Sequence, residues 1–390
     1  IAHHYREAQQ PSVAAYYFRV AGDHMLAHGA PAAAEALFEQ AGMLQQHAPF
    51  IEQVRITRGL AQALHALGKL EKADAALRRV CALLDTPLPA DWVDYTASMM
   101  QSAARFLWAV VGRQLGSSQP GQPPDSIDTS VHKSELLRAL TTQEIYVWLA
   151  RPELALICTI WGISLEASLI ASGHRTNFRT ALALLLSYTP LHGLGMRYLR
   201  RLSARPSTDV SAQVDYLCAR AISLTNQGRW AEARTRALQA AALARGQRDS
   251  FAYLHCLLQQ QLAANGLDDF AEILDLCSEM ELLAVQAQNP LFLALALIGQ
   301  GQAKLRFSQL DLAEERLQRA RSLIAQGLGP VLAAIVHGML AVCAWLQGRQ
   351  QSAEDLAGES MAALRQIEWP LVDLRYALSC VLEVCLASPE

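Results

Sequence analysis

Arg197, Arg200, Arg201 and Arg205 fall in the run MRYLRRLSAR, residues 196–205. Helical residues four apart share a face, so Arg197, Arg201 and Arg205 form one stripe with Arg200 beside it. Guanidinium groups set out this way suit an anionic ligand or an acidic partner surface. A plain solvated helix face gives the same pattern. His3 and His4 are adjacent and point to different sides of a helix, which argues against joint metal ligation. Tyr16, Tyr17 and Phe18 offer aromatic stacking, but at helical spacing they read as core plus one exposed tyrosine.

Other chemistries leave no signature. The chain has no GxxxxGK[ST] to cradle phosphate and no HExxH. It has no zinc-like Cys/His spacing and no GxSxG elbow. We expect no catalytic residue, no cofactor and no metal. The eight cysteines form no CxxC pair; most lie in apolar helical patterns, where a free thiol behaves as a small hydrophobe. That usage suits a reducing, cytoplasmic setting. A net charge of −3 gives no footprint for nucleic acid. The apolar run 154–171 contains Glu166 and Gly162 and reads as a buried helix rather than a membrane span.

The elements that must position any such site are helices. A Gly-like residue recurs, followed five positions later by a small residue and four further on by an apolar one. Clear copies are Gly29–Ala34, Gly68–Ala73, Gly228–Ala233 and Gly348–Ala353, with weaker ones ending on Ala155, Gly195, Ala271 and Ala313. The small residues are 38 to 42 apart except between Ala73 and Ala155, where the step is 82. The glycine closes one helix in the left-handed conformation, and the small residue lets the next helix cross it closely. One pair cannot bury its own faces, so pairs must stack. This predicts an all-α, TPR-like solenoid of antiparallel helix pairs with a period near 40 residues, longer than the roughly 34 of standard TPR units. The segment GSSQPGQPPDSIDTS (116–130) is rich in Gly, Pro and Ser and reads as a linker. It divides the chain into an expected helical block at 1–115, a linker at 116–131 and a solenoid at 132–390. Apolar residues make up 52% of the chain and charged ones 18%, so much surface must be covered by neighbours or by a partner.

Several stretches resemble a known family. AHHYREAQQPSVAAYYFRVAGDHMLAHGAPAAAEALFEQA (2–41) resembles the junction after the nucleotide-binding module of large bacterial signalling ATPases of the STAND class, the signal transduction ATPases with numerous domains. GLAQALHALGKLEKADAALRRVCALLDTPLP (59–89) is similar to their first TPR pair, YVWLARPELALICTIWGISLEAS (146–168) to a mid-region pair, and QGRWAEARTRALQAAALARGQRD (227–249) to later repeats. Such proteins often carry a kinase or nucleotide cyclase domain. No kinase, cyclase or ATPase motif lies in these residues, so no catalytic residue carries over. The resemblance implies a sensor or autoregulatory arm, and the start at Ile1 reads as a fragment or processed product.

Three function classes remain. The first is a non-catalytic regulatory arm that binds a protein partner, including an ATPase, kinase or cyclase module of the same chain. The second is a free-standing scaffold whose concave groove, lined by first helices such as 209–227 and 248–265, holds a peptide or protein. The third is an all-helical enzyme, which the missing motifs disfavour.

Overall fold

The structure is a computed structural model. It describes residues 1–28, 30–89, 94, 96–98, 100–101, 127–141, 157–163, 165, 178–187, 192–203, 209–247, 249–367 and 375–387. Among them, regular structure is helical and no strand occurs. The helices fall into two compact units.

Unit 1 comprises Ile1–His65, Glu71–Val147 and Arg151–Leu186. Its described helices are α1 (Ala2–Glu7), α2 (Pro11–Ala27), α3 (Pro31–Leu44), α4 (Phe50–Ala66), α5 (Leu70–Leu83), α6 (Ile127–Thr141) and α7 (Phe178–Ser187). Pro11 and Pro31 stand at helix starts, where the missing N–H is not needed. Phe38 of α3 is fully buried. It lies against Gly22 of α2, where a Cβ would come within 2.9 Å of the ring, and against Gly59 of α4. Two glycines therefore make room for one aromatic side chain. A second core joins Val54 of α4, Leu77 and Val80 of α5, and Leu136, Leu137 and Leu140 of α6. Helix α6 starts at Ile127, inside the expected linker; the rest of that linker lies outside the described residues.

Unit 2 comprises Ala66–Leu70, Trp148–Ala150 and Ser187–Glu390. Its helices are α8 (His192–Ser203), α9 (Val210–Thr225), α10 (Trp230–Gln247), α11 (Ser250–Gly266), α12 (Phe270–Gln286), α13 (Pro290–Arg306), α14 (Leu310–Ile324), α15 (Pro330–Leu346), α16 (Gln350–Arg365) and α17 (Arg375–Ala387). From α9 to α16 each helix starts 20 residues after the one before, so each pair repeats at 40. Turns this short force antiparallel neighbours.

The cadence has local causes. Asp209, Asp249, Asp269 and Asn289 each cap a helix by accepting a backbone N–H at 3.0–3.1 Å. Inside the pairs, the left-handed turn position is held by Gly228, Asp268, Ser308 and Gly348, again 40 apart. Gly68 occupies the same conformation at φ +67°.

Packing follows the same register. Second helices bury one stripe: Ala233, Ala237 and Ala240 on α10; Ile273, Cys277 and Met280 on α12; Ala313, Leu317 and Ala320 on α14; Ala353, Ala357 and Ser360 on α16. Each helix packs on the next, and the first helices α9, α11, α13, α15 and α17 also approach one another in succession. Ion pairs join successive second helices: Arg234–Glu272 at 2.8 Å, Arg349–Glu314 at 2.7 Å and Arg321–Glu359 at 2.7 Å. These are partly exposed and contribute at most about 1 kcal/mol each. Burial of the helix stripes holds the stack. The chain is an all-α, TPR-like solenoid of antiparallel helix pairs, as its sequence pattern predicts.

One position in that pattern needs correction. Ala271 is exposed, and the buried crossing position on α12 is Ile273. Gly266 misplaces the register. It is the last residue of α11, not the turn residue, and the indole of Trp230 presses against it with no room for a Cβ. The turn residue is Asp268. Ala34, Ala73, Ala233, Ala313 and Ala353 are buried, as is Gly195. Gly29 and Ala155 lie outside the described residues.

Candidate protein-binding face

The helices α9 and α11 correspond to the first helices expected to line a groove. Helix α11 carries three consecutive glutamines, Gln259, Gln260 and Gln261, each no more than 5% exposed. Burial of an amide is tolerated when its hydrogen bonds are made. Some are. Gln260 donates to the Cys256 carbonyl at 3.4 Å, and Gln259 Nε2 lies 3.2 Å from His255 Nε2. On α13, Gln302 donates to Asn265 at 2.7 Å and Gln300 donates to Glu281 at 2.8 Å.

Others are not. The Oε1 atoms of Gln259 and Gln261 are buried with no protein partner. So are Ser223 Oγ, Thr225 Oγ1 and Arg220 Nε on α9, and the side-chain nitrogens of Asn226 and Gln227 in the turn that follows. An unmet buried polar atom costs about 1–3 kcal/mol. Most such atoms among the described residues gather on these two helices and this turn. Amides and hydroxyls both donate and accept, which suits them to reading a peptide backbone. Farther along the stack the first helices are closed: α13 and α15 bury nearly every side chain over 294–303 and 338–344. Unmet polarity is concentrated at α9 and α11.

Burial controls the nearby titratable groups. Desolvation lowers the His255 pKa to about 4, so the ring is neutral at physiological pH. Tyr253 donates to Glu279 at 2.8 Å, and desolvation followed by that carboxylate pushes its pKa up to about 12.

The arginine stripe is on α8, where Arg197, Arg200 and Arg201 are exposed; Arg205 lies outside the described residues. Leu194, at 54% exposure, lies one turn before them. His3 packs edge-on against Phe18 at 5.1 Å, and Arg6 approaches its ring nitrogen at 3.0 Å. Phe18 is core, while Tyr16 is exposed beneath the Arg19 guanidinium. Among the described residues no three His, Cys, Asp or Glu side chains form a group able to hold a metal ion.

Unit 1 holds a charge network that the sequence did not reveal. Glu135 of α6 is 1% exposed and accepts from Arg55 Nε and Arg58 Nε of α4, each at 3.0 Å, and from Arg138 at 3.3 Å. Glu52 pairs with Arg19 of α2 and lies 3.8 Å from Arg55. Burial would lower the Arg19 pKa, but Glu52 and Asp23 outweigh it and raise it. Each buried carboxylate is matched by arginines, so the network fastens α6 and α2 onto α4 rather than activating a nucleophile.

No family model matches the chain, and no curated protein does. Among solved structures, a Rap protein complexed with competence and sporulation factor is similar over 86% of this chain and 99% of its own, with 13% identity and a TM-score of 0.42. The Cut9–Hcn1 hetero-tetramer of APC/C is similar over 94% of this chain and 83% of its own, with 12% identity and a TM-score of 0.37. Among the described residues, no helix is long and apolar enough to cross a membrane.

Proposed function

We propose that this chain is a non-catalytic, protein-binding regulatory arm of a multidomain signalling ATPase, and that α9 and α11 carry its binding face. The observation behind this reading is the concentration of buried, unpartnered polar atoms on α9, α11 and the turn after α9. Those atoms are closed off from solvent, so a partner's main chain would satisfy them and offset their desolvation only where it parts the helices that cover them. The arm acts by binding one arrangement of the attached module better than another, because equal affinity for both shifts nothing. The resemblance of 2–41 to the junction after the nucleotide-binding module, and of 227–249 to later repeats, of STAND-class proteins supports an ATPase module fused to a kinase or cyclase.

The test is reconstitution. The arm and the ATPase module encoded beside it are purified separately and titrated by calorimetry. Saturable binding, weakened about tenfold or more by Gln261→Leu, is expected. A reading frame without any such module removes the ATPase part of the proposal. Equal affinity of the parent and Gln261→Leu removes α11 from the binding face.

A further inference from the structure

Cys218 of α9 and Cys256 of α11 belong to first helices of consecutive pairs, and their Sγ atoms are 3.6 Å apart. Both thiols are buried, 2% and 0% exposed. They share a core with Val214, Ala240, Ala241 and Ala244, against which Leu217, Leu243 and Tyr253 pack. A disulfide needs sulfurs about 2.05 Å apart. The remaining gap of about 1.5 Å is within the range of small helix shifts.

We propose that Cys218 and Cys256 are an oxidative modification site, at which a peroxide-class oxidant joins them in a disulfide that staples α9 to α11. One thiol attacks the peroxide O–O bond, giving a sulfenic acid and one water. The second thiol attacks that sulfur, forms the S–S bond and expels a second water. Two S–H bonds and one O–O bond are lost, two electrons pass from sulfur to peroxide, and one S–S bond and two waters form. The product closes a loop across 38 residues and fixes the spacing of the two helices.

Burial, before any other cause, holds Cys81, Cys277 and Cys343 up to about 12 and raises Cys158 further, so little thiolate forms on them. Cys385 is exposed and reports how much oxidant has acted. Burial of the pair makes the reaction depend on local opening, so it is slow.

The chain is treated with hydrogen peroxide, alkylated under denaturing conditions, and mapped by mass spectrometry without reduction. The expected product is a cross-link between the fragments holding Cys218 and Cys256, about 2 Da lighter than their sum. The melting temperature should rise by about 5 °C or more and return after a thiol reductant. Cys218→Ser should abolish both changes. The proposal is overturned if both thiols remain alkylatable once Cys385 is fully oxidised, or if they carry separate sulfinic acids. The parent chain alone distinguishes these outcomes, so the test stands even if the variant folds poorly.

Discussion

Ile273 is fully buried and shares a core with Leu254 and Leu257 of α11, whereas Ala271 on the same helix faces solvent. Substitutions two residues apart should therefore differ sharply. Ile273→Ala removes buried methylenes and should cost about 2–4 kcal/mol. Ala271→Leu should change stability by less than about 0.5 kcal/mol. At the equivalent position of the preceding pair, Ala233 is 0% exposed, so Ala233→Leu should cost about 1–3 kcal/mol by overpacking, while the exposed Gln247→Glu stays near neutral. Urea unfolding of the four variants checks this, and equal midpoints for Ile273→Ala and Ala271→Leu would refute the register. Glycine holds the left-handed turns at 68, 228 and 348, because it adopts that φ without a Cβ penalty. No glycine marks Asp268, and Ser308 enters the pattern only as the Gly-like residue before Ala313; both take the same conformation with a side chain. The candidate face was legible only as two helices. Its glutamines look like ordinary polar interruptions until burial and hydrogen bonding show which are unmet.

Among the elements, α6 owes its place to contacts far apart in sequence. Leu136, Leu137 and Leu140 supply an apolar stripe, and Glu135 bonds to Arg55 and Arg58 of α4 across 80 and 77 residues. No local spacing announces a pairing of that range, so the helix could be expected but its docking could not. The side chains of Glu135 and Arg58 are 2% and 11% exposed, so solvent screens them little. Glu135→Gln leaves arginines on α4 without their counter-charge and should destabilise unit 1 by about 3–5 kcal/mol. Hydrogen exchange would place the effect: protection should fall along α6 while α14 and α16 keep theirs. Unchanged protection across Leu136–Leu140 would mean the apolar stripe alone docks the helix.

For the whole molecule, the repeat order follows from caps and turn residues set 20 and 40 positions apart, which is why a period near 40 could be read directly. Acid sensitivity follows from a different feature, histidines that desolvation keeps neutral in both units. Desolvation lowers His65 of α4 and His255 of α11 to about 4, against about 6.5 in an unfolded chain. The folded state thus holds both rings neutral where the unfolded state takes up protons. Their stabilising contribution is complete above about pH 6.5 and is lost as pH falls toward 4. For His65, 9% exposed, the loss approaches about 3 kcal/mol near pH 4. It is smaller for His255, which keeps more of its surface open. The urea midpoint should fall steadily from pH 7 to pH 4.5. His65→Gln removes the titrating group and should flatten that dependence, whatever it does to stability at pH 7. A pH slope identical in the parent and His65→Gln would show that this ring is already charged, or solvated, in the folded chain.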